Sequence, residues 1–75
     1  MKTADILNRL SDKQIEYLKR VADGINKLET TGHKDVAECY KYTARGYIMG
    51  LIDGGIISHD DFRGVWSWFN ILLDR

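Results

Sequence analysis

Residues 44–73 read ARGYIMGLIDGGIISHDDFRGVWSWFNILL. Their order is helix, double-glycine stop, Ile-Ile, serine cap, helix. Gly54 and Gly55 lack the Cβ that resists the left-handed conformation in which many helices end, so either can close the first helix. Ser58 can accept a backbone N–H of the helix that follows, and Asp61 stands three residues on, where a capping box places its acid. Asp60 and Asp61 also put negative charge at the positive end of the helix dipole. From Asp60 onward, Phe62, Val65, Trp66, Phe69, Leu72 and Leu73 recur at helical spacing and define one inward face. The stretch therefore encodes a tight helical hairpin.

Upstream, the same signals predict two more helices. Thr3 can cap a short one over 4–10, with Leu7 and Leu10 inward. Ser11 and Gln14 match a capping box, and the helix from Asp12 to about Leu28 carries Ile15, Leu18, Val21, Ala22, Ile25 and Leu28 on one stripe. Gly24 weakens that helix by roughly 1 kcal/mol relative to alanine, which leaves room for a kink or an early end there. Thr30, Thr31 and Gly32 make the turn. The next helix starts near Lys34 or Asp35 and reaches Asp53, with Val36, Tyr40, Thr43, Ala44, Tyr47, Ile48 and Leu51 as its main face. No segment alternates with a period of two for long enough to predict a strand. The expected fold is all-α: a small bundle of three main helices with a short N-terminal helix, ending in the hairpin, as one domain over residues 1–75.

The run from Ile48 to Leu73 resembles the SHOCT short C-terminal domain through Leu51, Gly55, Ile56, Ile57, Ser58, Asp61, Phe62 and the pair Leu72-Leu73. That family's second helix usually carries lysines where this chain has Val65, Trp66 and Trp68. The resemblance covers about a third of the chain. It implies a small helical module that mediates assembly, with no catalytic residues to carry over. Gly55 to Phe62 is also similar to the second half of an EF-hand loop, with Asp61 as the closing acid. In that register the first three ligand positions fall on Gly50, Ile52 and Gly54, which offer no side-chain oxygen, so calcium is not expected.

Composition narrows the chemistry. The chain has 75 residues, eight of them aromatic, no proline and one cysteine, with eleven basic against eleven acidic side chains. A domain of this size buries only about 60% of the surface its unfolded chain exposes, so part of its aromatic content is available for other uses. Cys39 cannot form an internal disulfide, which points to a reducing, cytoplasmic setting. No leader pattern opens the chain, and no apolar run approaches the length of a membrane span. Cys39, His33 and His59 show neither a thiol–base pair nor the C-x-x-C or H-x-x-x-H spacing of zinc sites. No catalytic residue, metal site, cofactor or small-molecule substrate is expected.

Two binding classes stay open. Lys13, Lys19, Arg20, Lys27, Lys34, Lys41 and Arg45 are candidate phosphate contacts for a helix-turn-helix DNA-binding regulator. They are interleaved with Asp12, Glu16, Asp23, Asp35 and Glu38, a mixture that reads as a solvated helix surface with four-apart pairs such as Glu16 and Arg20. Protein interaction has positive signals. Trp68 and Ile71 fall away from the inward face of the last helix, beside Gly64. On the preceding helix a second line runs through Cys39, Tyr42, Gly46 and Met49, with Gly50 nearby, and can serve either the core or a partner helix. Trp68, Ile71, Tyr42, Met49 and Gly46 are the expected partner surface, because tryptophan and tyrosine anchor interfaces more than other residues. A regulator or inhibitor that occludes a larger protein, or a self-assembling module, follows as the expected function.

Overall fold

The computed structural model describes residues 3–73, and side chains from Asp5 to Leu73. The helices are α1 (Thr3–Leu7), α2 (Asp12–Thr30), α3 (Lys34–Asp53) and α4 (Phe62–Leu73), with a 3₁₀ turn over His59–Asp61 leading into α4. No strand occurs among the described residues. The bundle's principal extents of 36 × 21 × 20 Å follow from α2 and α3, since about twenty residues at 1.5 Å rise make a rod of about 30 Å.

Local sequence explains the junctions. Ser11 and Gln14 form the expected capping box at the start of α2, each side chain meeting the other residue's backbone N–H. α2 ends where Gly32 adopts φ +84°. The His33 N–H donates to the Leu28 carbonyl at 2.8 Å and the Gly32 N–H to that of Glu29 at 3.4 Å. This is the six-to-one and five-to-two pairing of a Schellman end. The hairpin repeats it. Gly55 sits at φ +76°, Ile56 N–H donates to Leu51 at 2.9 Å and Gly55 N–H to Ile52 at 3.0 Å. Gly54 differs from expectation: at φ −80° it is an ordinary right-handed residue, and only Gly55 needs the left-handed region.

The core is one cluster: Ile6 and Leu10; Leu18, Ala22 and Ile25 of α2; Ala37, Ala44, Ile48 and Leu51 of α3; Ile57; and Val65 and Phe69 of α4. Burial of Leu18, Ile25, Ile48, Val65 and Phe69 is complete, and each contributes about 1.5–3 kcal/mol by leaving water. Asn26 of α2 donates to the Leu72 carbonyl at 2.9 Å, fixing α2 to a carbonyl near the end of α4.

One open point is settled and two expectations need correction. α2 runs unbroken through Gly24 to Thr30, because the helices packed against it outweigh the propensity of one glycine. α1 stops at Leu7 rather than Leu10; Arg9 and Leu10 continue as turns onto Ile6 and Leu7 while Ser11 turns extended to cap α2. The proposed cap at Thr3 lies outside the described side chains. Finally, the inward stripe of α3 is rotated. Ala37 is buried, whereas Val36, Tyr40 and Thr43 are exposed. Ala37 and Ala44 face the core with minimal bulk, so the larger Val36 and Tyr40 are left outside it.

Candidate partner surfaces

The residues expected to form one partner surface divide into two groups on different flanks. Tyr42, Gly46 and Met49 lie together on the outward ridge of α3 with Cys39 and Gly50, opposite Ala37, Ala44 and Ile48. All five are exposed, Tyr42 at 69%. Of the two readings of this ridge, core or partner, the structure shows an uncovered one. A Cβ added at Gly46 or Gly50 would meet nothing within 4 Å. The rotation of the α3 stripe widens the surface, since Val36 and Tyr40 join it from the α2 side. Tyr17 of α2 and Tyr47 of α3 close that edge, ring centroids 4.5 Å apart.

The flank of α4 holding Trp68 is different. Ile71 is exposed at 63%, but Trp68 is only partly exposed and packs against the core cluster. That corrects the expectation of a freely exposed Trp68. Gly64, one turn before Trp68, is not open either: a Cβ there would lie 2.5 Å from Cδ1 of Ile6. The side-chain-free position receives a side chain from α1. Trp66, two residues before Trp68, lies far around the helix on the α3 side. There it stacks between Phe62 and Phe69, and the Arg45 guanidinium lies 5.9 Å from the Phe62 ring centroid. α3 therefore borders one side of α4 and α1 the other.

Asp61 joins these parts. It is the buried acid of the hairpin cap, with its carboxylate accepting the Ser58 N–H at 3.0 Å and its own N–H donating to Ser58 Oγ at 3.3 Å. The same carboxylate oxygen accepts from the Arg9 guanidinium across 52 residues of sequence. The Ser58 N–H holds the Asp61 pKa below its ordinary value of 3.8, the Ser58 hydroxyl and Arg9 act in the same direction, and burial opposes them. Arg9 was not among the expected site residues. A partner that distant leaves no trace in local spacing; the only available signal was an acid in a cap close to a hydrophobic turn, where burial calls for a cation.

Among the described residues no group of three or more His, Cys, Asp or Glu side chains is placed to hold a metal ion, and Cys39 is a free, exposed thiol. No helix among them is long and apolar enough to cross a membrane. Comparison with family models, with characterised proteins and with solved structures returns no match to this chain. The fold is a small all-α bundle in which α3 turns Cys39, Tyr42, Gly46, Met49 and Gly50 to solvent.

Proposed function

We propose that this protein is a helical binding module that regulates or inhibits a larger protein by covering part of it, and that the outward face of α3 makes the contact. The observation that carries the reading is the concentration of exposed apolar bulk. Seven large hydrophobic side chains are exposed among the described residues, and four of them, Val36, Tyr40, Tyr42 and Met49, stand on α3. Tyr42 and Met49 stand on one edge of the exposed side of α3 and Val36 and Tyr40 on the other, with Cys39, Gly46 and Gly50 between them, and exposed apolar residues brought together in this way mark interaction sites more than single ones do. Gly46 and Gly50 lower the middle of the ridge so that a partner backbone can approach, and Tyr42 and Met49 rise beside it as anchors. The SHOCT-like hairpin agrees with a role in assembly.

The test is co-purification of the tagged chain from its own host, with Tyr42→Ser/Met49→Ser beside the parent. The double variant should keep its helical circular dichroism, because both side chains are outside the core, and should lose a protein partner that the parent retains. Recovery of nucleic acid with both chains would favour the helix-turn-helix alternative. An equal yield of the same partner with both chains would place the contact elsewhere.

A further inference from the structure

α1 has only five residues, far fewer than the roughly 12–15 at which an isolated helix becomes even marginal in water. It is held in place by side chains. Ile6 and Leu10 enter the core cluster, Ile6 fills the space above Gly64, and Arg9 is bonded to the buried Asp61. Each is a side-chain contact: Ile6 at the Gly64 notch, Leu10 in the core cluster, and Arg9 on the Asp61 carboxylate. The rest of the core, from Leu18 to Phe69, is built by α2, α3, α4 and Ile57. Asp61 also makes two hydrogen bonds with Ser58, local to the hairpin and formed without any atom of residues 3–10.

We propose that residues 3–10 form a releasable strap across α4, with Ile6 as plug and Arg9 as latch, and that its opening uncovers Gly64 and the flank beside Trp68 while the three long helices stay folded; Ile71 is exposed with the strap in place. The strap makes the molecule a two-surface device. With the strap closed, the α3 face is the large apolar surface offered to solvent. With it open, α4 adds an apolar strip grooved at Gly64 and edged by Trp68, the seat to which residues 3–10 return on closing. The inference concerns a different surface from the proposed α3 interface and does not depend on it.

The contact can be broken from either side. Gly64→Ala places a methyl where Ile6 Cδ1 now lies, and Ile6→Ser removes the plug. Both are made in the full chain with Trp66→Phe, so that Trp68 is the only indole. Each should leave a single cooperative thermal transition, shift Trp68 emission to the red and raise its quenching by acrylamide about twofold. In the parent, the Arg9 and Leu10 amides should exchange at least about tenfold faster than those of Ile25 and Ile48, with little dependence on urea, as a sub-global opening does. Three results would overturn the proposal. One is strap amides exchanging at the rates and urea dependence of Ile25 and Ile48. Another is loss of the cooperative transition in both variants. The third is unchanged Trp68 quenching in both, which would mean that the strap does not screen that flank.

Discussion

The outward ridge of α3 and the α1-side flank of α4 look alike in sequence. Each is an apolar line beside a core stripe, and each contains glycine next to an aromatic residue. In the structure they are opposites. At Gly64 the absent side chain is replaced by Ile6 of the same chain, and Trp68 is partly withdrawn from solvent; at Gly46 and Gly50 nothing replaces it, and Tyr42 stands exposed. The lesson is that a glycine beside an aromatic line announces close approach without saying whose backbone or side chain approaches. A five-residue segment far away in sequence decides between the two.

The largest expected difference separates the two aromatic anchors. Trp68→Ser should destabilise the chain by about 2–3 kcal/mol, less than the ~3–5 kcal/mol of a fully buried tryptophan because part of the ring is wet. Tyr42→Ser should change stability by no more than about 0.5 kcal/mol, as surface substitutions do. Urea titrations of the two variants measure this directly, and equal losses would erase the contrast between the faces.

Smaller effects sharpen the junction that carries both faces. Gly55→Ala should cost about 1 kcal/mol, since it forces a Cβ into the left-handed region at φ +76°. Ser58→Ala should cost a similar ~1 kcal/mol by removing the helix cap. Gly54→Ala should be milder than Gly55→Ala, because Gly54 is right-handed and its nearest neighbour to an added Cβ is the Gly50 carbonyl oxygen at 3.4 Å. Titration midpoints of the three variants rank them, and a Gly54→Ala loss larger than that of Gly55→Ala would misplace the turn.

Acid should loosen the Asp61 junction. Its folded pKa lies below the ordinary 3.8, so the stability it contributes is fully present above 3.8 and is lost as pH falls through the folded value. The Asp61→Asn chain should lack this part of the acid dependence. Comparing the two chains' urea midpoints at neutral pH and below pH 3.8 checks it, and parallel acid losses would remove Asp61 from the account. Smallest of all, Gly24→Ala should stabilise by up to about 1 kcal/mol, since the helix runs through it and an added Cβ meets nothing within 4 Å. Thermal melts would show the gain; a loss would mean that the position needs its glycine.

What was legible in the sequence follows the range of the interactions. The Ser11–Gln14 and Ser58–Asp61 boxes, the end of α2 at Gly32 and the end of α3 at Gly55 are set by atoms a few residues apart, and residue type and spacing display them. The inward stripe of α2 was equally readable because Leu18 and Ile25 are buried and Ile15, Val21 and Leu28 pack partly buried against the same core. On α3 size misled, since the packed positions are Ala37 and Ala44 while Val36 and Tyr40 stay outside. The seven-residue spacing of the two alanines, continuing to Ile48 and Leu51, was the usable signal. The Arg9–Asp61 pair and the seating of Ile6 at Gly64 depend on where α1 lies in three dimensions, and no local pattern encodes that. Of the candidate surface, Ile71 is exposed as the sequence implied; Tyr42, Gly46 and Met49, whose line the sequence left open between core and partner, are exposed, and Trp68 is partly buried.

Cys39 gives the most direct measurement on the central claim. It is the chain's one cysteine, it lies on the outward ridge of α3, and its thiol is exposed, so its alkylation rate reports whether that ridge is covered. Maleimide labelling of this chain, followed by intact mass, is compared for the isolated protein and for the protein recovered in complex from its host. The account predicts rapid labelling of the isolated chain and labelling slowed at least about tenfold in the complex, as expected for a thiol inside an interface. Equal rates in the two states, with the complex intact throughout, would contradict it.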